Sequence, residues 1–243
     1  MVWWQEERAA SGFLPVTKKL ARALWEFVRD STPSQKRRRY GDADFDWEHR
    51  VNTTSAAVGW KSRLLGCLYS EYQPTEAAAF REMMEGLGID FSRFTFIDIG
   101  SGKGRVLLLA ADFPFRRIVG VELLPELHAV ALDNLQRLSD KSSSIAAVCA
   151  DATSFEFPLD PLVIYLFHPL LEWGLRKVIG NLARSLREHP RDILVVYHNP
   201  IFGGMVESAE FRKVTAAEQY AVYASECGAI ANAHAWNKNA PTF

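Results

Sequence analysis

From Phe94 onward the chain alternates short apolar, β-branched runs with stretches whose apolar residues recur at helical spacing. The runs predict strands at Thr95–Ile99, Arg117–Val121, Ile145–Cys149, Leu162–Phe167 and Ile193–Tyr197. Helices are expected between them at Gly104–Asp112, Pro125–Leu138 and Leu171–Glu188, with another at Pro74–Gly86 ahead of the first strand. Such alternation is the signature of βαβ units around a parallel sheet. Few residues separate the third and fourth strands, so that crossover must be short or nearly free of helix. After the fifth strand, Glu210–Val214 and Tyr220–Ser225 are β-biased and close enough to form an antiparallel hairpin at the sheet edge.

Ahead of this pattern, Leu20, Leu24, Phe27 and Val28 are spaced as one face of an amphipathic helix. Pro33 and the run Lys36-Arg37-Arg38-Arg39 then read as an exposed basic linker. The chain divides on this basis into an N-terminal helical and basic extension, residues 1–69, and an α/β domain, residues 70–243. Its length suits one substantial domain with an extension.

Composition narrows the function classes. Hydrophobic residues make up 48% of the chain and charged residues 23%, as in an ordinary globular protein with a sizeable core. A formal net charge of -1 argues against nucleic acid as the main partner. Between positions 18 and 39, however, basic residues outnumber acidic ones eight to two. That segment is either a solvated face or a contact for an acidic partner, nucleic acid included, and is expected to serve a partner or substrate rather than a cofactor. The three cysteines, Cys67, Cys149 and Cys227, are too few and too scattered for a disulfide framework or a zinc site. With no basic-then-apolar start and no long uncharged run, the expected location is the cytoplasm, without membrane insertion.

The densest chemistry lies in Phe94-Thr-Phe-Ile-Asp98-Ile-Gly100-Ser-Gly102-Lys-Gly104-Arg105, an apolar strand running into a glycine loop and an apolar helix. Glycines at alternate positions allow a tight turn and a close approach to a ligand. A dinucleotide fingerprint would need glycine where Arg105 stands. A phosphate-binding P-loop would need glycine where Ile97 stands, five residues before Gly102. Both readings fail on spacing.

The remaining pattern, an acidic residue followed by G-x-G-x-G, resembles motif I of the class I S-adenosylmethionine (SAM)-dependent methyltransferases. The resemblance implies a doubly wound, mostly parallel seven-stranded sheet with an antiparallel C-terminal hairpin, the Rossmann-like methyltransferase fold. It implies SAM as cofactor, with Asp98, Gly100, Ser101, Gly102 and Gly104 forming the loop beneath its methionine part. Glu122, closing the second strand, would accept hydrogen bonds from both ribose hydroxyls, for which a carboxylate has two suitable oxygens. Asp151 and Ala152, after the third strand, would meet the adenine. The bland alternatives are a solvated strand end for Glu122 and a helix N-cap for Asp151. Tyr72-Gln73-Pro74-Thr75 resembles the Tyr-x-Pro-Thr element of a group that includes the non-SET lysine methyltransferases; there it lies over the cofactor, which places Tyr72 and Thr75 at the site.

In open α/β sheets ligands bind beyond the carboxyl ends of the strands. The fourth and fifth strands end in Phe167-His168-Pro169-Leu170 and Tyr197-His198-Asn199-Pro200. Amino-group methyltransferases often carry Asp/Asn/Ser-Pro-Pro-aromatic at the first of these positions, and this sequence departs from it at His168 and Leu170. The acceptor is therefore an unidentified protein or small molecule, with a nitrogen, protein lysine included, or an oxygen receiving the methyl group. His168, with Tyr72 and Asn199, is the candidate catalytic set, because an imidazole can accept a proton near neutral pH. His168 as a strand-end cap, and Tyr72 and Tyr197 as core aromatics, are the structural alternatives. A non-catalytic SAM-binding module is the competing functional class.

Overall fold

The computed structural model describes residues 45–47, 50–53, 75–137, 144–167, 170–207 and 210–225. Seven strands form one sheet in the order β3-β2-β1-β4-β5-β7-β6. They are β1 Thr95–Ile99, β2 Arg117–Glu122, β3 Ile145–Cys149, β4 Leu162–Phe167, β5 Ile193–His198, β6 Phe211–Ala216 and β7 Tyr220–Ser225. The first five are parallel, and β7 runs antiparallel to both β5 and β6. The doubly wound sheet with its closing hairpin is thus the one the resemblance implied.

The helices are α1 Ala77–Glu85, α2 Arg105–Ala110, α3 Pro125–Gln136, α4 Glu172–Glu188 and α5 Gly203–Glu207. Each starts or stops within a few residues of the sequence expectation, except for the unanticipated single turn of α5. On one face of the sheet, Phe80, Met84, Leu107 and Leu135 from α1 to α3 pack on Phe96, Ile118, Val163 and Val196. On the other, Leu175, Ile179 and Leu182 of α4 and Val206 of α5 pack on Ile97, Ile99, Ile164 and Val195. Alternate residues of a strand face opposite sides, and both sides are buried, which explains the near-continuous apolar runs. The crossover from β3 to β4 carries only a 3-10 turn, Ala152–Ser154. Among the described residues no helix is long and apolar enough to cross a membrane.

The expected helix over residues 14–29, the basic run 36–39 and the residues Tyr72, Pro74 and His168 lie outside the described residues. A short stretch of the N-terminal extension, residues 45–47 and 50–53, is described and packs against the α/β unit. Asn134 of α3 accepts from the backbone N–H of Asn52 at 2.9 Å and donates to its carbonyl at 3.2 Å.

Leu182 is fully buried beneath the centre of α4. Leu182→Ala is expected to lower unfolding free energy by about 2 to 5 kcal/mol, the range for a truncated core leucine; urea denaturation measures it.

Candidate functional site

The glycine loop joins β1 to α2 at the carboxyl edge of the sheet. Gly100, Gly102 and Gly104 have φ of 78°, 53° and 80°, the left-handed region that a side chain disfavours. Strand β2 fixes the loop: the Val121 carbonyl accepts from Gly100 N at 2.8 Å and Ser101 N at 3.1 Å. Gly104 has a second reason to be glycine, since a Cβ there would lie 3.2 Å from the Ala131 Cβ of α3. Ser101 turns inward against Gly120 of β2, and its buried hydroxyl has no hydrogen-bond partner.

Glu122 is no solvated strand end, being only 7% exposed. One carboxylate oxygen accepts from Gly102 N at 2.8 Å and the other from Leu124 N at 2.8 Å, so the residue stitches the loop after β1 to the loop after β2. Burial raises its pKa, opposed by the backbone N–H groups of Leu124, Gly102 and Leu123. Asp98 is 3% exposed, and burial, reinforced by the nearby Glu122 charge, raises its pKa well above the usual carboxylate range. Strand parity puts Asp98 and Glu122 on the α1–α3 side of the sheet. The result is a pair of buried carboxyl groups beside a bent, backbone-rich loop.

Asp151 does serve as an N-cap. One carboxylate oxygen accepts from Thr153 N at 2.8 Å, at the start of the 3-10 turn that begins with the buried Ala152. Thr75 is buried, and its hydroxyl lies 3.1 Å from the Tyr165 hydroxyl of β4. Asn199 directly follows β5 in a left-handed conformation, φ 52°, which asparagine tolerates better than most residues. It is exposed, and its N–H donates to the Gln219 carbonyl at 2.6 Å. Tyr197, by contrast, is a core residue on the α4 face.

Two residues that sequence reasoning passed over enter the same edge. The Tyr165 hydroxyl sits 2.8 Å from Nδ1 of His198, and the Phe167 ring stacks on the imidazole at 4.1 Å and 15°. Burial pushes the Tyr165 phenol far above its ordinary value, so it stays protonated and able to donate. The signal available was strand parity: Asp98, Tyr165 and Val196 are register partners, and His198 lies two residues past Val196 on the same face.

No family model matches the chain, and no curated protein does. Solved structures resemble it at low identity. A SAM-dependent methyltransferase from Aquifex aeolicus is 14% identical, with 63% of this chain and 98% of that one covered at a TM-score of 0.49. The StiE O-methyltransferase is 18% identical, with 55% of this chain and 50% of that one covered at a TM-score of 0.41. The chain thus spans about half the length of that StiE O-methyltransferase chain, residues 942–1257. A phosphoethanolamine N-methyltransferase from Haemonchus contortus, solved with S-adenosylhomocysteine, is 16% identical, covering 57% and 38% at a TM-score of 0.43. The order of all seven strands, with the glycine loop after β1, decides the architecture. It is the class I methyltransferase fold.

A Cβ at Gly120 would lie 2.6 Å from Leu107 Cδ1 and 2.7 Å from Ser101 Oγ. Gly120→Ala is expected to cost about 1 to 3 kcal/mol of stability, the usual penalty for overpacking. Because the clash displaces Ser101, the same variant should also weaken ligand binding at the loop; chemical denaturation and calorimetry measure the two effects.

Proposed function

We propose that the protein is a SAM-dependent methyltransferase acting on a nitrogen or oxygen acceptor. The observation that carries this reading is the pair of buried carboxylates, Asp98 and Glu122, set around a loop of left-handed glycines at the carboxyl ends of β1 and β2. Two buried acids repel a pyrophosphate or triphosphate, the ligands that other glycine loops cradle. They suit a ligand that is cationic and carries a vicinal diol, and SAM has a sulfonium, an ammonium and a ribose. The donor set therefore fits SAM and not NAD or ATP.

When bound, SAM supplies an electrophilic methyl group for an in-line displacement. Glu122 contributes oriented acceptor capacity: each oxygen is already fixed by one backbone N–H and retains a lone pair for a ribose hydroxyl. Asp98, once ionised, supplies negative charge on the side of the loop where the cationic end of the cofactor is expected. Asp151 has one oxygen committed to Thr153 N and the other available for the adenine amine. On the acceptor side, Tyr165 holds Nδ1 of His198, and Phe167 fixes the plane of the ring. The task there is to orient the nucleophile and take its proton. His168, Tyr72 and Asn199 remain the proposed acceptor-side residues.

Calorimetry with SAM, S-adenosylhomocysteine, NAD and ATP tests the cofactor, and only the first two are expected to bind. Tight NAD binding without SAM binding overturns the reading. Labelled SAM with a cell lysate then tests turnover. Label should enter a protein or small molecule, whereas binding without transfer to any fraction returns the protein to a non-catalytic SAM-binding module.

Two substitutions separate the carboxylates. Glu122→Ala should weaken SAM binding by about 1 to 3 kcal/mol, because it removes a charged acceptor. Affinity unchanged in a folded variant would remove the ribose assignment.

Asp98 carries a pH signature whose sign follows from its raised pKa. A cation favours the ionised carboxylate, so SAM binding should expel the Asp98 proton and tighten as pH rises, levelling off above the raised pKa. Stability of the free protein runs the other way: the contribution of protonated Asp98 is complete below the unfolded pKa and is lost as pH rises through the folded one. Asp98→Asn should therefore preserve or raise stability at neutral pH while weakening SAM binding and flattening its pH dependence. Calorimetry in buffers of different ionisation enthalpy, with thermal unfolding, measures all three.

A further inference from the structure

Arg105 stands where a dinucleotide-binding loop would have its third glycine, and among the described residues it is one of the largest side chains buried to about 2% exposure. Burying a guanidinium costs several kcal/mol unless its charge and N–H groups are matched. The matches here come from two separate segments. Nε donates to the Thr75 carbonyl at 2.6 Å, ahead of α1. Nη1 donates to Thr53 Oγ1 at 2.9 Å and lies 3.6 Å from the Asp46 carboxylate. The guanidinium also lies 4.3 Å from the centre of the Phe45 ring.

Residues 45–47 and 50–53 are organised to meet it. Asp46 accepts from the Thr53 backbone N–H at 2.8 Å and from the Thr53 hydroxyl, and its carbonyl accepts from Val51 N at 3.0 Å. A second attachment forms two residues earlier in the glycine loop. Asn134 donates to the Lys103 carbonyl at 2.9 Å while pairing with the backbone of Asn52, and Lys103 Nζ is 3.4 Å from Asn52 Oδ1. The two attachments bracket Gly104, whose φ of 80° sets the exit of the loop into α2.

We infer that Arg105 is a positioning residue for the cofactor, holding the glycine loop in its binding conformation by tying it to residues 45–47 and 50–53. The inference rests on the cofactor reading above. It makes Phe45–Thr53 part of the cofactor-binding unit, although no glycine motif or βαβ pattern reaches them. A loop already held in its bound form saves the ligand the cost of ordering it, and the coupling must be reciprocal. Ligand binding will therefore protect residues 45–53 from opening. A clamp that served folding alone would show no such response.

The test uses the full chain and S-adenosylhomocysteine. Amide hydrogen exchange in peptides covering 45–53 should slow by about tenfold or more on saturation. Asp46→Asn and Arg105→Lys should each weaken S-adenosylhomocysteine binding by about tenfold or more, with cooperative unfolding retained. Arg176→Ala, which removes an exposed ion pair with Glu172 on α4, should leave affinity near wild type. Unchanged exchange at 45–53 in the saturated protein overturns the inference, as does wild-type affinity in the folded Asp46 and Arg105 variants. The exchange measurement uses the unmodified chain and decides the matter alone where a variant does not fold. Absence of S-adenosylhomocysteine binding to the wild-type protein would instead overturn the cofactor reading.

Discussion

The hydrogen bond from Gly102 N to the Glu122 carboxylate is the interaction on which the carboxyl edge depends. A loop with three left-handed glycines has little conformational preference of its own, so an external acceptor must choose its shape. Glu122 does so from the neighbouring strand, and its second oxygen takes Leu124 N, which sets the entry into α3. One buried carboxylate thereby orders two βα turns. The cost is a charge held away from water, and it is only partly offset by backbone N–H groups. Asp98, without that degree of compensation, shows the larger upward pKa shift. The edge thus buries two carboxyl groups whose ionised forms a cationic ligand would favour.

Much of the fold was legible because local and tertiary patterns agree. A strand covered on both faces must be largely apolar, and β1, β4 and β5 read that way apart from Thr95, Asp98 and His198. Helices α1, α3 and α4 show a polar outer face, so the alternation of elements survives in one dimension. Glu122 was legible as a candidate because an acidic residue closing an apolar strand is a local signal. Asp151 was legible both ways, as a cap and as a polar group at a strand end, and its two oxygens allow both roles to stand. The strand-end histidine of β5 was not singled out, because nothing local separates His198 from Asn199; only its register on the Tyr165 face does.

Arg105 was read in one dimension as a missing glycine, whereas in three dimensions it is a charged hub. Its partners are 30 and 52 residues away and are mostly hydroxyl and carbonyl oxygens. Polar contacts of that range leave no period in the sequence, and Asp46, Asn52 and Thr53 look like ordinary turn residues. The same reasoning explains why residues 45–53 read as part of an extension. They contribute few apolar residues to the core, so no hydrophobic pattern announces their docking. Hydrogen bonds to Lys103, Arg105 and Asn134 carry that information instead.

The crossover from β3 to β4 shows how a shortened connection moves structural work to a neighbour. Residues 150–161 leave no room for a helix with turns at both ends, and the chain makes only the Ala152–Ser154 turn capped by Asp151. A full crossover helix would pack against the sheet and fix its own position. Here Asn181 of α4 reaches across and donates to the Thr153 carbonyl at 2.7 Å, while Phe155 and Phe157 pack edge to face at 5.5 Å and supply the apolar cover. The space beside α4 stays open as a cavity of about 550 Å³ lined by both segments. The position of Asp151 therefore depends on α4 as well as on its own strand. Any ligand that meets Asp151 is held partly by a helix on the opposite face of the sheet from the glycine loop, so the two ends of such a site are ordered by different halves of the core.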